Sequence, residues 1–168
     1  MTAPAPTHDA SAGPPHVRIE MLSQPRYLSG ARELVSAVAR RFGFDDGACG
    51  QIALAVDEAL CNVIRHAYAQ QADRPIWISI WPWDGAEGEG FEVDPPACDP
   101  HGIRIDIEDE GPHVDPEKIR GRDLSDIRPG GLGVYIIRQV MDGVTYEQRP
   151  EGGMRLILTK LNGTPSRT

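Results

Sequence analysis

The chain has 168 residues, which is the usual size of a single domain with one hydrophobic core. It carries 17 lysine and arginine residues against 25 aspartate and glutamate residues, and the formal charge of −8 argues against a surface that binds nucleic acid or an anionic membrane. The three cysteines are widely spaced and form no CxxC pair, so we expect a cytoplasmic protein without a zinc site or a disulfide framework.

The N-terminal half of the chain indicates a tail, a strand and two helices. Residues 1–15 are rich in proline and alanine, and no cationic segment precedes an apolar run there, so we expect a flexible tail and no secretory signal. The alternation of residues 17–22 predicts a short strand. Apolar spacings of three and four predict helices over 28–42 and 46–69. No stretch reaches the roughly 20 consecutive apolar residues that span a bilayer.

The C-terminal half indicates four strands and one more helix. Residues 76–81 are β-branched and aromatic, and residues 103–108 alternate, so both are predicted strands, separated by a loop over 82–102 that is dense in proline and glycine. A helix is predicted over 132–141 and a β-hairpin over 144–159. The order strand, two helices, two strands, loop, helix and hairpin predicts an α+β sandwich with its helices on one face of the sheet.

Glu58 and Asn62 are the first candidates for chemistry. They stand four residues apart on the second predicted helix, so both project from one face, and His66 continues this face one turn later. A carboxylate there can act as a base toward a hydroxyl or water, and an amide oxygen is a ligand that Mg²⁺ accepts. Taken alone, this spacing is more typical of a solvated helix face.

Two segments that contain glycine complete the set of candidates. Asp109 directly follows the predicted strand over 103–108. Its carboxylate can accept a hydrogen bond from an exocyclic amine there, while Gly111 lets a flat ring approach the backbone. The other segment opens the third helix, where free backbone N–H groups favour phosphate; it consists of Gly130, Gly131, Leu132 and Gly133. Taken alone, these are an ordinary Asp-x-Gly turn and a loop that needs positive φ angles.

The order of these segments is more informative than any one of them. A helix with Glu-x-x-x-Asn, a strand ending in Asp-x-Gly, a loose stretch and a Gly-x-Gly that opens a helix resembles the Bergerat-type ATPases, the superfamily of gyrase, histidine-kinase and heat-shock chaperone ATP domains. Residues 56–68 (VDEALCNVIRHAY) and 131–142 (GLGVYIIRQVMD) are similar to the stand-alone anti-sigma-factor serine-protein kinases of bacteria. The resemblance implies a two-layer α/β sandwich with a mixed sheet over residues 16–161 and a flexible tail over 162–168.

The resemblance also implies a role for each candidate. Glu58 is expected to be the general base and Asn62 the Mg²⁺ ligand of a bound Mg-ATP. Asp109 is expected to bind the adenine amino group, with Gly111 beside the ring. The residues expected to face the phosphates are Gly130, Gly131, Leu132 and Gly133.

The segment 112–130 is expected to be the ATP lid. Its candidate arginines are Arg120, Arg122 and Arg128. Of these we expect Arg128 to meet phosphate or a partner carboxylate, and solvated lid charges are the alternative for all three. His66 is expected to cap the nucleotide site or to hydrogen-bond locally, rather than to act in catalysis.

Three functions follow from the resemblance. The leading hypothesis is an ATP-dependent serine/threonine-protein kinase that acts on a small anti-sigma-factor antagonist, also binds a sigma factor and regulates transcription by partner switching; a homodimer is left open. The second is a nucleotide-gated switch that captures a partner without phosphorylating it. Two departures from the family pattern leave this alternative open: the long 82–102 loop, and Met154 at a position where relatives often have threonine. The third, the ATP domain of a histidine kinase, is disfavoured because no phosphotransfer helix pair precedes the domain.

Overall fold

The computed structural model describes residues 13–83, 101–115 and 132–163. In chain order the elements are β1 (Val17–Leu22), a 3₁₀ turn (Pro25–Tyr27), α1 (Leu28–Arg41), α2 (Asp46–Asn62), a π-helical turn (Val63–Ala67), β2 (Pro75–Trp83), β3 (Gly102–Glu108), α3 (Leu132–Val140), β4 (Gly143–Gln148) and β5 (Met154–Leu161). The predicted order of strand, two helices, two strands, helix and hairpin is confirmed.

The five strands form one sheet in the order β1-β2-β3-β5-β4, and every neighbouring pair is antiparallel. Helices α1 and α2 connect β1 to β2 and return the chain to the end of the sheet where β1 stops. Strand β2 therefore starts beside the last residue of β1 and runs in the opposite direction. Helix α3 returns the chain so that β4 follows the direction of β3, but β5 lies between these two strands. The expectation of a mixed sheet is therefore wrong for the part of the chain that the structure describes.

The hydrophobic core lies between the helices and one face of the sheet, as predicted for an α+β sandwich. Helix α1 buries small residues four apart, which lets it pack closely on α2. The sheet contributes alternate isoleucines, because every second side chain of a strand points to the same face. The fully buried isoleucines of β2 and β3 are Ile76, Ile78, Ile80, Ile103, Ile105 and Ile107. Each such side chain contributes roughly 1.5–3 kcal/mol through burial.

Helix α2 is the central helix of this core. Together with the π-helical turn it forms the stretch Asp46–Ala67, which has a mean hydropathy of 1.2 and is, among the described residues, long and apolar enough to cross a membrane by length and composition. Its apolar stripe packs against α1, α3 and the sheet, with Ile52, Val56 and Leu60 completely buried. The stretch therefore has the burial of a core helix.

The end of α2 differs from the predicted uninterrupted helix over 46–69. The backbone N–H of Tyr68 donates to the Val63 carbonyl, five residues earlier, at 3.0 Å, which widens the last turn into a π-helix. Ala69 and Gln70 then adopt left-handed φ angles of 47° and 66°, which costs about 1–2 kcal/mol per residue without a glycine. Contacts beyond the helix have to stabilise this ending, and they are described below.

The connection between β2 and β3 is shorter than the predicted loop over 82–102. Strand β2 continues through Trp83 and β3 starts at Gly102, with Pro82 paired to Ile103. Proline is tolerated there because β1 ends its pairing at Ile80, so no partner on that side needs an N–H group. Residues 84–100 lie outside the described residues, as do residues 1–12 and 164–168 of the predicted tails.

Candidate functional site

Helix α2 carries Glu58 and Asn62 on the edge of its buried face. The helix begins at a capped end, where the Asp45 carboxylate accepts a hydrogen bond from the Ala48 N–H at 2.7 Å. Glu58 and Asn62 are both half-buried, one turn apart. Neither side chain makes a hydrogen bond or an ion pair with another residue that the structure describes. A carboxylate and an amide are therefore free to meet a ligand.

Gly133, the second residue of α3, packs directly against this pair. A Cβ atom placed on Gly133 lies 2.6 Å from Oε2 of Glu58 and 3.4 Å from Nδ2 of Asn62. Any larger residue at this position therefore displaces the Glu58 carboxylate. Leu132 precedes it as the first residue of α3 and is 60 % exposed. The structure thus brings together Glu58, Asn62 and the N-terminal end of α3, whose backbone N–H groups favour an anion.

Asp109 directly follows β3 and has a buried carboxylate. Its Oδ1 accepts hydrogen bonds from the backbone N–H of Gly111 at 2.7 Å and of Met154 at 3.4 Å. Its Oδ2 has no hydrogen-bond partner in the described part of the chain. Burial raises the pKa of Asp109, while the two backbone N–H groups and the positive charge of Arg149 act in the opposite direction. The geometry leaves one fixed acceptor oxygen for a ligand.

The backbone around Asp109 is held from the hairpin side. Nη1 of Arg149 donates to the Asp109 carbonyl at 2.6 Å, and the guanidinium lies over the Trp77 ring at 5.3 Å. The arginine is 4 % exposed and forms an ion pair with Glu108 at 3.7 Å. Gly153 has a φ of 87°, and a Cβ atom there falls 1.8 Å from the Asp109 carbonyl oxygen. The hairpin can approach this carbonyl so closely only because position 153 has no side chain.

A cavity of about 310 Å³ separates α2 from the ends of β3 and β5. Its size lies at the lower end of the range of small-molecule pockets, about 300–1,000 Å³. The polar side chains in its wall are Asn62, His66 and Asp109. Most of the remaining wall is apolar and includes Ala59, Val63, Ile107, Val134, Tyr146 and Leu156. An apolar slot with an acceptor at one end and an Mg²⁺-compatible oxygen at another suits a flat base joined to a charged group.

Comparison with known proteins identifies the family of this chain. Residues 21–160 match the family model of the histidine kinase-like ATPase domain. The chain belongs to this family. The expectations of a histidine-kinase-like fold and of ATP as the nucleotide agree with this placement.

Curated relatives of this histidine kinase-like ATPase domain are named serine-protein kinase RsbW. The protein of Listeria innocua is 27 % identical over 146 residues, which cover 86 % of this chain and 85 % of the relative. That of Bacillus subtilis is 25 % identical over 156 residues, covering 88 % and 87 %. A solved structure of RsbU and RsbW domains from Mycobacterium tuberculosis superposes with a TM-score of 0.52 and 13 % identity, over 86 % of this chain and 31 % of that one, and shows the shared fold.

Several predicted site residues of the ATPase domain lie outside the described residues. They are Gly130, Gly131, Arg120, Arg122 and Arg128. Of the predicted lid over 112–130, the structure describes residues 112–115, where Nε2 of His113 meets the Arg149 carbonyl at 3.0 Å. His66 lies in the π-helical turn and is an exposed part of the cavity wall.

Three residues of the site are not predicted by the sequence patterns, namely Tyr68, Arg149 and Gly153. Tyr68 is the last residue of the 56–68 segment, and a buried tyrosine needs a partner for its hydroxyl, which is a signal that periodicity does not use. Gly153 lies in the turn of the predicted hairpin over 144–159, and the sequence pattern there does not indicate its contact with Asp109. Arg149 left no signal in the sequence, since its contact with Asp109 spans 40 residues.

Proposed function

We propose that this domain is an ATP-dependent serine/threonine-protein kinase that binds Mg-ATP between α2, α3 and the Asp109 turn. The observation that carries the proposal is the Glu58 carboxylate, which has no partner among the described residues and lies beside Asn62 at the N-terminal end of α3. This position lets a base stand next to bound phosphates while α3 directs its N–H groups at them. Relatives that match over most of the chain and are named serine-protein kinases support the same activity.

Each end of the nucleotide is assigned to one part of the site. Oδ2 of Asp109, which makes no hydrogen bond with the described residues, accepts one from the adenine amino group. The ring lies in the apolar slot beside Val63, and Gly111 stays a predicted neighbour of the ring. The phosphates lie at Gly133 and the N-terminal end of α3. The other predicted phosphate contacts are Gly130, Gly131, Leu132 and Arg128, and they remain predictions. His66 borders the slot.

The donor set fits a magnesium ion that is bound together with the phosphates. Asn62 offers a hard oxygen ligand and has no hydrogen-bond partner among the described residues, which contain no group of three or more His, Cys, Asp or Glu residues that could hold a metal ion by themselves. Mg²⁺ is commonly held by one or two protein oxygens plus substrate phosphates, which matches this sparse set. When bound, the ion neutralises charge on the phosphate oxygens.

Glu58 acts on the acceptor hydroxyl. Its carboxylate accepts the proton of a partner serine or threonine as the hydroxyl oxygen forms a bond to the γ-phosphorus. The bond from that phosphorus to the bridging oxygen of ATP breaks, and ADP leaves. Most of the rate enhancement comes from holding the hydroxyl and the phosphate in line, because the transferred group needs little covalent assistance.

The partner follows from the resemblance of the α2 and α3 sequences. We propose that the acceptor belongs to a small anti-sigma-factor antagonist and that the domain also binds a sigma factor. We further propose that the domain acts in the cytoplasm and that it can form a homodimer. An acidic protein with a formal charge of −8 affects transcription through such protein partners rather than through DNA contacts.

Glu58→Gln tests the assignment. The purified variant is incubated with γ-labelled ATP and a candidate antagonist, and ATP affinity is measured by calorimetry. We expect phosphate transfer to fall by at least about 100-fold with ATP affinity within about threefold of the parent, since general-base catalysis contributes roughly 10²–10⁴. The matched control is Glu33→Gln, an exposed glutamate on α1, which keeps full transfer.

Other outcomes select other functions. Undiminished transfer by Glu58→Gln refutes the base assignment. A nucleotide-dependent complex that never becomes labelled identifies the non-phosphorylating switch. Acid-labile label on a histidine of the partner identifies a histidine-kinase-like activity.

A further inference from the structure

The turn that carries Asp109 is also fixed from the helix side, by a contact that the proposed ATP site does not itself contain. Tyr68 is 3 % exposed, and its hydroxyl accepts a hydrogen bond from the backbone N–H of Glu110 at 2.7 Å. The same hydroxyl donates to the Pro75 carbonyl at 2.5 Å. One side chain therefore joins the end of the α2 helix, the start of β2 and the residue next to Asp109.

The π-helical turn is what brings this side chain under the turn. Each residue of an α-helix advances the direction of the side chain by about 100°, so a widened turn redirects everything that follows it. Two contacts result on adjacent residues. Tyr68 reaches Glu110, and Ala67 lies so close to Gly111 that a Cβ atom on that glycine falls 2.7 Å from the alanine methyl carbon.

Arg74 completes the contact from the surface. Its guanidinium lies over the Tyr68 ring at 5.5 Å and forms an ion pair with Glu110 at 3.3 Å. Burial raises the pKa of Tyr68 to about 12, so its hydroxyl stays protonated and keeps both the donated and the accepted bond at neutral pH. The turn over residues 109–111 is thus held from two sides, by Tyr68 and Arg74 of the α2–β2 connection and by Arg149, which follows β4.

We infer that Tyr68 is a positioning residue for base recognition: its hydroxyl fixes the Asp109–Gly111 turn against the end of α2 and thereby sets the preference for a purine with an amino group at position 6. The inference rests on the proposed ATP site. Its physical basis is that Oδ1 of Asp109 is tied to the Gly111 N–H, so a shift of Glu110 moves both ends of that bond. Oδ2 then no longer meets the amino group in line.

The test compares ATP with inosine triphosphate, which has an oxygen in place of the 6-amino group. Affinities for both are measured by calorimetry in Mg²⁺ for the parent chain, Tyr68→Phe and Asp109→Ala. We expect the ratio of ATP to inosine triphosphate affinity to fall roughly three- to tenfold in Tyr68→Phe, the range of one hydrogen bond, and to approach unity in Asp109→Ala. In the Asp109→Ala background, Tyr68→Phe should change the ratio no further.

Ser23→Ala is the matched control. The Ser23 hydroxyl donates to the Gln71 carbonyl at 2.5 Å and accepts from the backbone N–H of Arg74 at 3.1 Å. It therefore bridges the same α2–β2 connection with the same number of hydrogen bonds, but it makes none with residues 109–111. Both variants should lower the urea midpoint, and only Tyr68→Phe should change the nucleotide ratio.

The outcomes separate the two proposals. If the parent chain binds neither nucleotide, or binds both equally, the proposed ATP site fails. If the parent chain and Asp109→Ala behave as expected while Tyr68→Phe keeps the parental ratio, Tyr68 is merely structural and the inference is overturned. If Tyr68→Phe does not fold, Arg74→Gln loosens the same contact from the surface, and an unchanged ratio there refutes the inference equally.

Discussion

Replacing Gly133 with alanine separates the chemistry of the site from the stability of the fold. The new Cβ lies 2.6 Å from Oε2 of Glu58, and ordinary contact starts at 3.4 Å, so the carboxylate has to move away. The atom that yields is the far end of a flexible side chain, which can rotate without disturbing the core. We therefore expect no loss of stability and a gain of up to about 1 kcal/mol, because alanine is the better helix former.

The catalytic effect is expected to be much larger. A misplacement on the order of 1 Å in a reacting group can cost about 100-fold in rate, so phosphate transfer by Gly133→Ala should fall about 10- to 100-fold. The decrease should appear mainly in kcat, measured at saturating ATP and partner, because the Cβ reaches Glu58 more closely than Asn62.

Gly30→Ala is the matched control for this change. Gly30 lies in α1, and a Cβ atom there has nothing within 4 Å, so the substitution should stabilise the fold by about 0.5–1 kcal/mol in urea unfolding and leave transfer unchanged. If Gly133→Ala is folded and transfers phosphate at the parental rate, Glu58 does not need the position that the structure gives it, and the reasoning is refuted.

Two further predictions concern the ends of the nucleotide. ATP affinity should fall as the pH is lowered through the pKa of Asp109, because protonation removes the charge of the acceptor. Burial raises that pKa, so the loss of affinity should start at a higher pH than for an exposed aspartate. This loss should be absent in Asp109→Asn. Asn62→Ala should weaken ATP binding in Mg²⁺ and leave it unchanged in EDTA, which calorimetry in the two buffers can measure; equal losses in both buffers contradict the magnesium role.

The element order could be predicted because each element is encoded locally. The alternation of β3 and the apolar stripe of α2 are visible in windows of a few residues, and the structure places both where the periodicity does. The π-helical turn could not be predicted, since Val63–Ala67 has no residue type that favours it. It is stabilised by the contacts of Ala67 and Tyr68 with the Asp109 turn, more than 40 residues away.

In the candidate site, too, only the features encoded by local spacing could be predicted from the sequence. The spacing of Glu58 and Asn62 predicts a shared face, and the structure adds that Gly133 closes on this face, a juxtaposition that only the fold creates. The prediction of a mixed sheet was wrong because local patterns do not show that β5 inserts between β3 and β4. Arg149 was invisible for the same reason, as its partner is a main-chain carbonyl 40 residues earlier.

The two acidic residues of the site differ in environment, and this difference supports the function proposed for each. Asp109 is buried, accepts two backbone N–H groups and has its backbone fixed by Arg149, so it cannot move to follow a reaction but can hold one acceptor oxygen in a constant place. Glu58 is half-buried and makes no hydrogen bond with the described residues, so it can reach a hydroxyl and take up its proton. Recognition of a base requires a rigid acceptor, whereas proton transfer requires an accessible one, and exchanging the two environments would remove both functions.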